Sequence, residues 1–196
     1  MDIQEIKNIL QSTYPFLGDE DLELLLDIGS YAELKNRTLI IEQGKLNQDV
    51  FFILKGMVRG FYINSDGEEI NVFLRPEHTQ SGAPDSLFNN VPTKYNFETV
   101  VHSHILKFPI QKIIELSETR PNFAKLYIEG LQENVKTLIF RVESLVDKLP
   151  EERYDELLKA RPQFFENALN KHIANYLGIT PNSLSRILKR KKNSKT

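Results

Sequence analysis

The chain has 196 residues, 40% apolar and 27% charged, a formal net charge of −2 and no cysteine. That length allows one or two domains with a real core, and the composition argues against disorder. The lack of Cys excludes disulfides, thiolate catalysis and Cys-ligated zinc or iron–sulfur centres.

The longest wholly apolar run, residues 50–54, is far short of the ~18 residues of a membrane span. The first twenty residues carry Asp2, Glu5, Asp19 and Glu20 and lack the basic start and apolar centre of a secretory leader. A cytoplasmic protein with no membrane partner is therefore expected. The net charge hides an asymmetry. From Arg161 onward the chain has eight basic residues and one acid, Glu166, a net +7 that leaves −9 for the first 160 residues. A basic end on an acidic body points to a polyanion that only the end approaches.

Residues 1–30 read as helical. A short amphipathic piece with Ile3, Ile6, Ile9 and Leu10 stops at Pro15. A second helix over 20–26 follows, capped by Asp19, with acids in its first turn and Gly29 after it. From about 31 to 109 the texture is short β-rich runs: 38–42, 50–54, 58–63, 69–74, 97–101 and 105–108. Asn64-Ser65-Asp66-Gly67 between two alternating runs is a hairpin signal. Close turn spacing predicts a small antiparallel barrel or jelly roll. His102 and His104 fall between two strand-like runs and read as exposed turn histidines. A metal site needs three or four converging ligands, and no acid follows them at short range. No metal, cofactor or catalytic set is expected. The acid pairs Glu68-Glu69 and Glu151-Glu152 read as turn and helix-start charges, and no phosphate loop or nucleophile elbow occurs.

From about 110 the pattern is helical. Ile128, Leu131, Val135, Leu138, Val142, Leu145 and Leu149 are spaced alternately three and four apart. This is a heptad seam with β-branched or Leu residues at a and Leu at d, which predicts a parallel homodimer. Tyr127, Ile139, Phe140 and Val146 offer a second apolar flank for the chain's own domain. Pro150 ends the helix. A connecting helix over 151–160 with Tyr154, Leu157 and Leu158 on one face runs to Arg161-Pro162.

Residues 170–190 meet the requirements of a helix-turn-helix. Ala174 is small where two helices touch, and Gly178 suits a turn at positive φ. Ile173, Leu177, Ile179, Leu184 and Ile187 hold the pair together. Thr180 is a good N-cap with Pro181 at the first helical position. The second helix then offers Asn182, Ser183, Arg186, Lys189 and Arg190 to the major groove of double-stranded DNA. Arg186 suits guanine and Asn182 suits adenine, while Thr180, Ser183 and Lys189 suit phosphates. His172, on the first helix, reads as a phosphate neighbour or as solvent-facing.

At these residues the chain resembles the CRP/FNR family of bacterial transcription regulators. Glu42-Gln43-Gly44, residues 50–56 and Val58-Arg59 are similar to its cyclic-nucleotide-binding-type β-roll. Residues 173–180 with Leu184-Ser185-Arg186-Ile187 are similar to its DNA-reading module. The resemblance implies a dimer on a pseudo-palindromic operator, RNA polymerase as a partner, and a small-molecule effector held near Gly82, Ala83, Tyr95, Asn96, Tyr127 and Leu131. Two departures stand out. Where the family's nucleotide-binding members carry a Glu and an Arg for the cyclic phosphate, this chain has Ala83 and Tyr95, and Lys94 is one residue out of register. Too few residues follow the second helix for the usual hairpin wing.

The expected fold is therefore α+β: N-terminal helices, an antiparallel jelly-roll-like β-roll, a long dimerisation helix and a helix-turn-helix lacking a full wing. The expected domains are a β-roll sensor over 1–120, a dimerisation helix over 121–150 and a DNA-binding domain over 151–196. The expected function is that of a dimeric, sequence-specific DNA-binding regulator that does not bind cyclic AMP, and not an enzyme. The competing readings are a jelly-roll, cupin-like metal enzyme and a ligand-binding module with a vestigial DNA part.

Overall fold

A computed structural model describes residues 1–193; Lys195, part of the basic tail, lies with Ser194 and Thr196 outside the described residues. Two helices open the chain, α1 (Ile3–Thr13) and α2 (Asp19–Ile28). Asp2 caps α1 by accepting from the Glu5 amide at 2.8 Å, and Glu5 reaches back to the Asp2 amide at 3.0 Å. Ile6 and Leu10 are buried while Ile3 is exposed. The cap of α2 is Gly18 and not Asp19. The Asp21 carboxylate accepts from the Gly18 amide at 3.2 Å, which leaves Asp19 as an exposed first helical residue.

The strands are β1 (Ser30–Leu34), β2 (Leu39–Ile41), β3 (Asp49–Lys55), β4 (Met57–Ile63), β5 (Glu69–Pro76), β6 (Gln80–Gly82), β7 (Asn96–Thr99) and β8 (Ser103–Pro109), with a short helix, α3 (Pro84–Asn89), after β6. They form two antiparallel four-stranded sheets, ordered β1-β8-β3-β6 and β2-β7-β4-β5. Between the sheets pack Phe51, Ile53, Val58, Phe97 and Ile105. β3 is covered on both faces. Its alternate residues Phe52 and Leu54 join Leu106, Phe108 and the first helices in a second cluster. That is why residues 50–54 are apolar without alternation. The Asn64–Gly67 turn closes β4 onto β5. The Asn64 side chain accepts from the Asp66 and Glu68 amides, and Gly67 takes φ 78°.

After β8 come α4 (Ile110–Ser117), the long α5 (Pro121–Asp147), α6 (Pro150–Ala160), α7 (Pro162–Asn167), α8 (Asn170–Tyr176) and α9 (Pro181–Asn193). α5 buries Phe123, Leu126, Gly130 and Ser144 against its own fold. Ile128, Val135, Leu138, Val142 and Leu145 lie exposed on another face, with Leu131 half-buried beside them. Two details differ from the sequence reading. Leu149 is off the seam, because α5 stops at Asp147 and Leu149 is the extended cap of α6, held there by Pro150. Ile139 and Val146 belong to the exposed face, whereas Tyr127 and Phe140 supply the inward flank. On α6, Tyr154 and Leu157 are buried but Leu158 is exposed.

Candidate nucleic-acid interface and effector groove

The last two helices and their turn form as the residue types require. Ala174 is fully buried where α8 meets α9, and Gly178 takes φ 68°. A Cβ at Gly178 would stand 3.1 Å from Leu145 and 3.4 Å from the Arg153 guanidinium. Ile173, Leu177, Leu184 and Ile187 are buried and Ile179 is half-buried. The Thr180 hydroxyl accepts from the Ser183 amide at 3.1 Å and lies 3.0 Å from the Ser183 hydroxyl, an N-cap on the third residue of α9.

From that cap α9 exposes Asn182, Arg186 and Lys189, one to two turns apart, with Ser183 half-buried. Arg190 stands elsewhere. Its guanidinium pairs with Glu151 of α6 at 2.7 Å, and Lys191 pairs with Asp155 at 2.7 Å. The basic end of α9 is thereby tied to an acidic edge of the same chain.

His172 is buried and not solvent-facing. Its backbone carbonyl accepts from the Asn71 side chain at 3.3 Å. Burial, then the cations Arg59 and Lys171, push its imidazole down from 6.5 to about 4. Asn71 in turn accepts from Arg59 at 3.0 Å, and Arg59 bridges Glu98 and Glu69. Asn175 completes the docking by donating to the Glu69 carbonyl at 2.8 Å, while Arg141 of α5 donates to the Asn71 carbonyl at 2.9 Å. The helix-turn-helix is thus seated on β5. These docking partners carry no local sequence signal, since Asn71 and Asn175 are 104 residues apart.

A second feature is an apolar groove of about 140 Å³ between β6, α3 and α5. Of the residues named for an effector pocket, Gly82, Tyr127 and Leu131 line this groove. Ala83, Tyr95 and Asn96 do not. Ala83 is fully buried between the sheets, Tyr95 packs its ring on Phe73 at 5.4 Å, and Asn96 holds the Gln43 amide at 2.9 Å. The sequence reading missed Gln80, Phe88, Asn134 and Leu138, which also line the groove. Among the described residues no cationic side chain lines it directly, the buried Arg75 standing behind Asn134 and Phe73 of its wall, and Lys94 is exposed, 5.2 Å over the Tyr95 ring.

Of the two histidines read as exposed turn residues, only His104 lies differently. His102 is in a bend, but His104 is on β8, where it pairs across to Glu33 of β1.

Residues 32–120 match the sequence model of the cyclic nucleotide-binding domain. The chain is 14% identical to FixK2 from Bradyrhizobium japonicum, with a TM-score of 0.73 over 85% of this chain and 86% of that one. A transcriptional regulator of the crp/fnr family from Eubacterium rectale superposes with a TM-score of 0.68 at 15% identity, covering 93% and 88% of the two chains. The chain therefore contains a segment matching the cyclic nucleotide-binding domain and shares the fold of these two structures. A curated relative, the global nitrogen regulator of Nostoc sp., is 25% identical over 115 residues, 58% of this chain. The match spans about half of that relative, 51% of its length. Within this fold the β-roll precedes the long α5, and the helix-turn-helix follows it. Among the described residues no helix is long and apolar enough to cross a membrane.

Proposed function

We propose that this chain is a dimeric, sequence-specific DNA-binding regulator of transcription whose β-roll takes a small effector other than cyclic AMP. The observation that carries the reading is α9: beyond a formed Thr180 cap it exposes Asn182, Arg186 and Lys189 on the face opposite buried Leu184 and Ile187. Arg186 has the reach for a bidentate contact to guanine, Asn182 for adenine, and Thr180, Ser183 and Lys189 for phosphates. Arg190 joins the phosphate contacts by exchanging Glu151 for DNA.

Two copies joined along the exposed face of α5 present two such helices to half-sites about one turn apart, ~34 Å. RNA polymerase is the partner that family resemblance adds. Leu131 and Leu138 belong both to that face and to the lining of the groove. An effector in the groove therefore touches the dimer face directly and shifts the balance between presentations of α9.

The groove's largely apolar lining suits an uncharged or weakly polar effector, since none of its lining residues is a cation that would hold a cyclic phosphate. Calorimetry is expected to show no micromolar binding of cyclic AMP, and such binding would overturn that part of the reading. The main test is selection of bound sequences from random duplex DNA, repeated with Arg186→Ala. The variant is expected to lose ~1–3 kcal/mol on the selected site and to relax one base position. Equal loss on every sequence would make Arg186 a phosphate contact instead.

A further inference from the structure

Outside the groove and α9, one cluster of side chains combines metal-ligating chemistry with convergent geometry. β1 and β8 pair with Glu33 directly opposite His104 and Tyr31 opposite Leu106. Side chains of directly paired residues share a face, and residues two apart on a strand share it too. Tyr31 and Glu33 from the edge strand therefore meet His104, with His102 two residues before it. One ligand atom from each of Glu33, His102 and His104 lies within 4.8 Å of the others. His102 Nε2 is 2.9 Å from the Glu33 carboxylate, and the two imidazoles stand nearly perpendicular, 5.1 Å apart. Tyr31 places its hydroxyl 2.6 Å from His104 Nδ1 and stacks on its ring.

We propose that Glu33, His102 and His104 form a surface site for one divalent transition-metal ion of the zinc, cobalt, nickel or copper type, with Tyr31 as the positioning residue. Two imidazoles and a carboxylate suit these ions rather than calcium or magnesium, which prefer all-oxygen sets. At bond lengths of ~2.1 Å, donors of a tetrahedral site stand about 3.4 Å apart. Closing 4.8 Å to that distance needs only side-chain rotation, because Glu33 and His102 are exposed. The Tyr31 oxygen accepts from His104 Nδ1–H in the bound form, which frees Nε2 for the ion. Water completes the coordination.

The site's place in the fold gives it a consequence. The ion joins β1 to the bend before β8, and Val100 and Val101 of that bend pack against the core of the helical module. Metal binding thereby stiffens a contact between β-roll and module, whether or not the module reads DNA.

The test uses the full chain without a histidine tag, stripped with chelator and titrated with Zn²⁺ by calorimetry and with Co²⁺ by visible absorption. One ion per chain is expected. His102→Ala and His104→Ala should each weaken binding at least tenfold, Glu33→Gln should also weaken it, and Tyr31→Phe should cost about tenfold. His78→Ala, in a separate loop, should change nothing. His102 is exposed, so its variant tests the site even if His104→Ala fails to fold. Absence of binding, or equal binding by wild type and the His102→Ala variant, would overturn the proposal. Neither result bears on DNA selection by α9.

Discussion

His172 shows what burial does to one imidazole. It lies on α8 of the docked module, buried beside Asn71, near the cations Arg59, Lys171 and Arg37 and the carboxylate of Glu69. Unfolded, it takes a proton near 6.5; folded, it stays neutral down to about 4. Its folded value is depressed, so the unfolded chain gains the proton first. The stability tied to neutral His172 is complete above pH 6.5 and is lost as the pH falls towards 4. After allowance for partial solvation the loss is ~1–2 kcal/mol. Chemical denaturation at pH 7.5 and pH 4.5 should show a smaller loss on acidification for His172→Gln than for wild type. An equal loss would move the acid sensitivity to the carboxylates.

At the scale of elements, α5 is where sequence and structure inform each other most. Three-four spacing made its apolar seam legible, and the structure leaves Val135 and Val142 more than half exposed on it. Both can be changed without disturbing the chain's own core. Val135→Glu with Val142→Glu removes two side chains worth about 1.5 kcal/mol or more each when buried in a dimer. A homodimer loses four such side chains, so sedimentation should show self-association weakened by roughly 10⁴-fold with helix content unchanged. β1 and β6 were not legible. β1, Ser-Tyr-Ala-Glu-Leu, has no β-branched residue, and β6 has three residues, so both exist through pairing with β8 and β3 rather than through propensity.

Over the whole molecule, the β-roll and the helix-turn-helix are joined through few polar contacts. Asn175 donates to the Glu69 carbonyl and accepts from the Asn71 amide, and Arg141 adds the Asn71 carbonyl. Asn175→Ala removes the partner of the Glu69 carbonyl and the Asn71 amide at a half-buried seam and should cost ~1–3 kcal/mol. Amide exchange should quicken in β5 and α8 while β3 and β8 stay protected. Uniform protection in the variant would show that apolar packing of Met57 and Leu74 on the module suffices.

By itself the sequence determined what local chemistry decides. The helix-turn-helix could be read from Ala174, Gly178, Thr180 and Pro181, the hairpin from Asn64–Gly67, and the roll from its strand texture. These follow from turn geometry, capping and periodicity within a few residues. Only the tertiary structure decided that His172 is buried, that Arg190 pairs with Glu151, that Ala83 is core, and that Glu33 meets His102 from 69 residues away. Strand register and docking set those contacts, and both depend on residues that are distant along the chain.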